Sequence, residues 1–168
     1  MSKGKVNTDM LLAIVFAALA VLWAAVIFGF SSQNGDSSTS LSREAAKVIV
    51  KTFDLDTDVY QLEHYVRKCA HFCEYGIFAS LIFGSAAFML RALGKSPFAA
   101  VFISTVICLV YAASDEFHQG FVDGRSPEVK DVLIDTGGGL TAGVFICVIM
   151  LLVYRKRKAS AHFRKEAA

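Results

Sequence analysis

From Tyr111 to Asp135 the chain reads YAASDEFHQGFVDGRSPEVKDVLID, a polar stretch set between two apolar runs. The apolar residues of Val101–Val110 precede it, and those of Val132–Tyr154 follow it. Ionisable groups are costly near a bilayer, where they usually face the protein interior or a wet cavity and mark function. The stretch therefore predicts two membrane helices joined by a functional polar loop.

The composition of the whole chain also indicates a membrane protein. Of the 168 residues 55% are apolar, the mean hydropathy is +0.51, and the apolar residues are clustered. This profile is typical of an integral membrane protein and argues against an ordinary soluble domain. The four cysteines fall in apolar runs and form no CxxC or Cys/His zinc pattern, so we interpret them as buried small hydrophobic residues.

Four apolar runs are each long enough to cross a bilayer. A helix rises about 1.5 Å per residue, so about 20 residues span a hydrocarbon core of about 30 Å. The first run is longer than the apolar region of a signal peptide, which is about 7–15 residues, and we expect a retained anchor. The predicted spans are Met10–Phe30, Cys69–Leu90, Phe98–Ser114 and Val132–Tyr154.

Four spans place both termini on one side of the membrane. That side carries ten of the 17 lysines and arginines, against seven that are spread over two longer loops. The positive-inside rule then predicts cytoplasmic termini and outward-facing polar loops. The predicted parts of the chain are a cytoplasmic N-terminus (1–9), a four-helix membrane domain (10–154) and a basic cytoplasmic tail (155–168).

The first polar loop contains a further predicted helix. Ser31–Ser42 is rich in Ser, Gly and Asn and predicts an irregular segment. Leu41–Phe53 has the spacing of an amphipathic helix, with Ser42 as its candidate N-cap, which would lie on the outer membrane surface or cover the bundle. The predicted fold is all-α, with four transmembrane helices, this amphipathic helix, and a polar loop between helices three and four whose re-entry into the membrane is left open.

Polar side chains form three clusters at the outer ends of the predicted spans. Residues three or four apart share one face of a helix, so the members of each cluster lie together. The clusters are Lys68, His71, Glu74 and Tyr75; Asp115, Glu116, His118 and Gln119; and Asp131 and Asp135. We expect them to meet, with Arg125, in one pocket beneath the outer surface.

This set of groups is suited to acid–base chemistry or to binding an anion. A histidine paired with a carboxylate can relay a proton or hold a metal, and His71 and His118 are the candidate metal ligands. The donor set permits a divalent metal without favouring one. Arg125 and Lys68 would hold a phosphate or a carboxylate. The alternative is that these groups pair inside the bundle and only fix helix register.

At these residues the chain resembles the VanZ-like membrane protein family, named for a protein linked to teicoplanin resistance. The resemblance covers residues 10–154, and the family often has Asn where this chain has Asp135. It implies a bacterial cytoplasmic membrane protein with a role in the cell envelope or in glycopeptide resistance, and it supplies no reaction. The matching motifs are Ser31-Ser32-Gln33, Lys68-x-x-His71-Phe72-x-Glu74-Tyr75, Asp115-Glu116-x-His118-Gln119-x-Phe121-x-x-Gly124-Arg125 and Asp131-x-x-x-Asp135-x-x-Gly138.

Three functions are compatible with these residues: an enzyme acting on an envelope lipid or lipid-linked cell-wall precursor, a module that binds such a lipid or a glycopeptide, and a structural partner in an envelope complex. Whether the protein catalyses a reaction is left open, and no nucleic-acid partner is expected. The candidate catalytic residues are His71, Glu74, Asp115, Glu116, His118, Gln119 and Asp131. The candidate substrate-binding residues are Ser32, Gln33, Lys68, Tyr75, Arg125 and Asp135.

Overall fold

The computed structural model describes residues 3–166, with side chains described for residues 8–156. The side chains of the predicted N-terminus before residue 8, and those of the tail from residue 157, lie outside this description. Five helices make up the described chain, which contains no strand. They are α1 (Lys3–Ser31), α2 (Gly35–Phe53), α3 (Val59–Ala92), α4 (Ala99–Gln119) and α5 (Val129–Glu166).

Four of the helices are long and apolar enough to cross a membrane, which confirms the predicted all-α membrane fold. The candidate spans are Thr8–Ser31, Val59–Ala92, Ala99–Gln119 and Val129–Lys156. Many large apolar side chains on these helices point away from the bundle, among them Leu11, Phe102 and Phe145, which are 62%, 73% and 65% exposed. Such a surface is unfavourable in water and suits contact with lipid chains.

All four helices are longer than the apolar runs that predict them, and the added turns of α3 and α4 carry predicted site residues. α3 begins at Val59, ten residues before Cys69, and Asp58 caps it by accepting a hydrogen bond from the Tyr60 N–H at 3.0 Å. α4 continues for five residues past Ser114 and ends at Gln119. Hydropathy marks only the apolar part of a span, so polar turns that extend the helix beyond it are missed.

The amphipathic helix is present as α2, but it begins at Gly35. The prediction of an irregular segment is therefore wrong for most of Ser31–Ser42. Asn34 is the N-cap, because its side chain accepts a hydrogen bond from the Ser37 N–H at 2.9 Å. Ser42 is instead a buried residue within the helix, and its hydroxyl donates to the Ser38 carbonyl at 3.1 Å. Packing on α3 has overridden the loop preference of serine.

α3 lies at the centre of the bundle and contacts all four other helices. The main core forms around its buried residues Tyr75 and Phe78, with Ile27 from α1 and Ala112 from α4. Cys108 of α4 also belongs to this core. The core thus lies directly beneath the polar end of α3.

The cysteines differ from one another in burial. Cys108 is buried and Cys147 is partly buried, whereas Cys69 and Cys73 are exposed on α3. The prediction that all four are buried is therefore wrong for these two. They lie on the outward face of their helix, and an apolar run does not reveal which face a residue occupies.

Glycines allow α5 to lie directly against its neighbours. A Cβ added at Gly138 would collide with the carbonyl oxygen of Phe72 on α3. A Cβ at Gly139 would lie 2.5 Å from Cys108 Sγ on α4. Small residues of this kind let membrane helices approach backbone to backbone.

Candidate functional site

Asp115 is the centre of a buried hydrogen-bond network that joins three helices. Its Oδ2 accepts hydrogen bonds from Ser31 Oγ at 2.6 Å, from the Tyr75 hydroxyl at 3.1 Å and from Gln119 Nε2 at 3.2 Å. Gln119 Nε2 also lies 3.2 Å from Ser31 Oγ. All four side chains are buried. The network therefore fixes α1, α3 and α4 relative to one another.

Arg125 extends this network into the loop between α4 and α5. Its Nη1 donates to Gln119 Oε1 at 3.2 Å, its Nε to the Gln33 carbonyl at 3.3 Å and its Nη2 to the Phe30 carbonyl at 3.4 Å. These carbonyls lie at the C-terminal end of α1, where backbone oxygens lack helical partners and a cation is favoured. Burial, followed by the positive charge of Arg67, lowers the pKa of Arg125.

Two glycines join the start of α2 to the same loop. The Gly35 N–H donates to the Asp123 carbonyl at 3.0 Å, and a Cβ at Gly35 would collide with the Gly124 carbonyl oxygen. Gly124 has a φ of 74°, a conformation that glycine adopts more readily than other residues. This contact places α2 beside Arg125.

Two cavities lie next to the network. The apolar cavity, of about 220 Å³, lies between α2 and α3. The polar cavity, of about 230 Å³, lies between α3 and the α4–α5 loop. The apolar cavity is lined in part by Phe30, Leu41, Ala45, Val66 and Ala70. The polar cavity is lined in part by Lys68, Gln119, Glu128 and Asp131. Arg67, His71 and Arg125 line both cavities, and we call these three the junction residues.

Two pairs of side chains connect α3 to α5 beside the junction. Lys68 forms an ion pair with Asp131. One turn further along each helix, His71 Nδ1 lies 3.9 Å from Asp135 Oδ1. Both of these atoms are buried and have no hydrogen-bond partner within the part of the chain that the structure describes. His71 therefore lies between the cavities and a buried carboxylate.

Glu74 and Gln33 also line the apolar cavity. The backbone carbonyl of Glu74 accepts a hydrogen bond from the indole Nε1 of Trp23 at 2.9 Å. α1 is thus bound to the same turn of α3 that presents His71 and Glu74 to the cavity.

The remaining predicted residues line neither cavity. Glu116 Oε1 accepts a hydrogen bond from the Glu128 N–H at 2.7 Å, immediately before α5. The His118 ring packs on Phe28 with a centroid distance of 4.6 Å. Ser32 is exposed and donates to the Phe28 carbonyl at 2.7 Å within the last turn of α1. The Glu116 and His118 contacts, together with the network of Ser31, Tyr75, Asp115 and Gln119, orient the helices around the junction, whereas the Ser32 hydrogen bond is local to α1.

The two predicted metal ligands lie in different surroundings. His71 lines both cavities, whereas His118 packs on Phe28. Among the described residues, no three His, Cys, Asp or Glu side chains are placed to hold one metal ion. Since a zinc site in a protein usually has three or four such ligands, these residues do not fit a metal centre.

Arg67 is absent from the residues predicted from the sequence, although it lines both cavities. Within residues 8–156 no carboxylate forms an ion pair with it. A sequence signal was available, because His71 and Glu74 lie four and seven positions after Arg67, so the three residues share one face of α3. The neighbouring Lys68, three residues before His71, also lies about one turn from it, and Lys68 was the cation predicted for the site.

Comparison with known proteins identifies the family of the chain. No curated protein and no solved structure matches the chain. A family model, described as VanZ/LLP1, matches residues 16–153 and thus includes the network, the junction residues and both α3–α5 pairs. Because the match covers most of the chain and confirms the resemblance seen in the motifs, the protein belongs to the VanZ/LLP1 family.

Proposed function

We propose that this protein binds an anionic, phosphate-bearing amphiphile in the cell envelope, with the head group at the junction residues and the apolar part in the apolar cavity. The main support for the proposal is that Arg67, a partly buried arginine at the junction, forms no ion pair with a carboxylate among the described residues. An unpaired cation in such a place is costly unless a ligand supplies the anion.

The charges around the polar cavity support an anionic ligand. Lys68 and Asp131 neutralise each other as an ion pair. Arg67 and Arg125 carry like charges, and the charge of Arg67 contributes to the lowered pKa of Arg125. A phosphate between the two guanidinium groups would offset this repulsion, and the planar fork of arginine suits its oxygens.

The apolar cavity supports an amphiphile rather than free phosphate. It meets the polar cavity at the junction residues, so a ligand with its charge there can extend into apolar surroundings. Leu41 and Ala45 of α2 and Val66 and Ala70 of α3 form part of its wall. Burial of an apolar chain against such a wall is favourable by about 25 cal/mol per Å² of apolar surface.

The proposed position of the two cavities in the membrane indicates which ligands can reach them. In the proposed orientation the protein lies in the bacterial cytoplasmic membrane with cytoplasmic termini, and both cavities face outward. A membrane phospholipid or a lipid-linked cell-wall precursor is then within reach. Binding of such a molecule would link the protein to envelope function or to glycopeptide resistance, including resistance to teicoplanin.

Binding of lipid to purified protein tests the proposal. Native mass spectrometry should show phosphatidylglycerol bound to the wild type, and diacylglycerol, which lacks the phosphate, bound much more weakly. Arg67→Gln and Arg125→Gln should each weaken phosphatidylglycerol binding by about tenfold to a hundredfold, since a hydrogen bond to a charged group contributes about 1.5–3 kcal/mol.

A matched control is Lys51→Gln, which removes one positive charge from an exposed residue of α2 that lines neither cavity. This variant should bind phosphatidylglycerol as the wild type does. The proposal is wrong if Arg67→Gln binds as well as the wild type, or if Lys51→Gln loses as much affinity as Arg67→Gln.

A further inference from the structure

His71 lies where acid–base chemistry on a bound head group would take place. Its side chain is 21% exposed and lines both cavities together with Arg67 and Arg125. Arg67 lies one helical turn before it on the same face of α3. A phosphate held by the two guanidinium groups would therefore be a neighbour of the imidazole.

Asp135 is placed to orient that imidazole. Its side chain is 2% exposed, and its Oδ1 lies 3.9 Å from His71 Nδ1. This distance is longer than a hydrogen bond, but catalytic hydrogen bonds are often long in ligand-free proteins and shorten when substrate binds. A proton held on Nδ1 by the carboxylate leaves Nε2 as the hydrogen-bond acceptor of the ring.

A purely structural role explains the His71–Asp135 pair less well. α3 and α5 are already joined by Lys68 and Asp131 and by the backbone approach at Gly138. The additional pair leaves two buried polar atoms without hydrogen bonds among the described residues. That arrangement costs desolvation free energy, and ionisable groups retained in a membrane span usually serve function.

We propose that His71 is the general base for hydrolysis of an amphiphile with a diphosphate head, and that Asp135 is its positioning residue. The proposal rests on the proposed function, because it uses the anion site at the junction residues. Nε2 takes a proton from a water molecule while the water oxygen bonds to the terminal phosphorus. The bond from that phosphorus to the bridging oxygen breaks, and its electron pair leaves with the monophosphate amphiphile. The proton on His71 then passes to solvent.

A diphosphate suits these residues better than a phosphate monoester. The junction residues contain one side chain of ordinary acid–base chemistry, His71, beside two arginines, which stay protonated. His71 acting as base cannot at the same moment protonate a leaving alkoxide, whereas a phosphate leaves without a proton. The two guanidinium groups can also stabilise the charge that develops on the phosphoryl oxygens.

Phosphate release from farnesyl diphosphate by the purified protein tests the inference. Phosphorus NMR should show inorganic phosphate and farnesyl monophosphate formed by the wild type. His71→Gln should lower the rate by about 10²–10⁴-fold, the usual contribution of general acid–base catalysis, while binding measured by native mass spectrometry weakens far less than in Arg67→Gln. Added imidazole should restore part of the rate in His71→Ala, which a residue needed only for folding would not allow.

Further variants separate the roles of the groups. Asp135→Asn should lower kcat with KM unchanged, since it removes the orienting carboxylate and leaves the anion site intact. Lys51→Gln changes an exposed residue that lines neither cavity, and it should leave the rate unchanged.

The outcomes distinguish this inference from the proposed function. Binding of farnesyl diphosphate without phosphate release, or full activity in His71→Gln, would overturn the role of His71 and leave the binding function in place. A failure of wild-type protein to bind any of the phosphate-bearing amphiphiles would overturn both.

Discussion

Gly138 lies where α5 crosses the backbone of α3. A Cβ at this position would collide with the Phe72 carbonyl oxygen and lie 2.9 Å from the carbonyl carbon. Phe72 follows His71 in the chain, and Asp135 is about one turn before Gly138. The close approach of the two backbones therefore brings His71 and Asp135 to within reach of each other.

We predict that Gly138→Ala destabilises the protein, although alanine is the better helix former. Overpacking costs typically about 1–3 kcal/mol, against a gain of about 1 kcal/mol in helix propensity. Gly137→Ala is the control, because the nearest atom to its Cβ, Phe72 Cε2, is 3.9 Å away. Thermal unfolding in detergent, followed by circular dichroism, measures both variants. Equal melting temperatures would contradict the backbone contact.

The sequence identifies the polar residues of the site but not their partners. Spacing along α3 predicts that Lys68, His71 and Glu74 share one face, whereas in the structure Lys68 lines the polar cavity, Glu74 lines the apolar cavity and His71 lines both. It does not show that Lys68 forms an ion pair with Asp131, or that Arg125 donates to carbonyls at the end of α1. These pairings depend on how separate helices approach one another, which local periodicity does not encode. Arg67 was overlooked although its spacing from His71 and Glu74 indicates that it shares their face of α3.

α2 covers the apolar cavity and is attached to α3 through one buried carboxylate. Glu63 is 7% exposed, and its Oε1 accepts a hydrogen bond from Ser42 Oγ at 3.4 Å. Its Oε2 lies 3.6 Å from Arg43 Nη2. The guanidinium of Arg43 also lies over the Tyr60 ring, 5.0 Å from its centroid. These contacts hold the middle of α2, while Gly35 holds its start.

We predict that Glu63→Ala loosens α2 and leaves the four spans folded. The change removes the hydrogen bond from Ser42 and the ion pair with Arg43, and a hydrogen bond to a charged group contributes about 1.5–3 kcal/mol. Hydrogen–deuterium exchange should increase in peptides from Gly35–Phe53 and stay unchanged in α4.

The control for this experiment is Glu44→Ala. Glu44 pairs with Lys47 at 2.7 Å on the exposed face of α2, and such surface pairs contribute about 0–1 kcal/mol. Exchange in this variant should match the wild type. If Glu63→Ala showed the same protection as Glu44→Ala, contacts other than Glu63 would hold α2 in place.

The membrane-spanning helices could be predicted from the sequence because contact with lipid determines their composition. All four spans appear where apolar runs predict them, because residues facing lipid must be apolar over the bilayer thickness. The first turns of α2 were not predicted, since Ser37 and Ser40 favour loops as readily as helix starts. Their helical state depends on the Asn34 cap and on contact with α3.

For the whole molecule, the four spans and the distribution of basic residues predict one orientation. Residues before α1 and after α5 should lie in the cytoplasm, and α2 and the α4–α5 loop should face outward. Green fluorescent protein fused to the C-terminus should fluoresce, and alkaline phosphatase fused at the same point should be inactive. The opposite result would place both cavities on the cytoplasmic side.

The chain contains a single tryptophan, Trp23, and its indole N–H is bonded to the backbone of Glu74 at 2.9 Å. Indole emission depends on the polarity and hydrogen bonding around the ring, and this ring touches the turn that also carries His71. Because Glu74 lines the apolar cavity, we expect a ligand bound there to change this emission, so that binding can be followed by intrinsic fluorescence without an attached dye. Trp23 is thus an intrinsic fluorescent probe, and the Trp23→Phe variant, which lacks tryptophan emission, is the control.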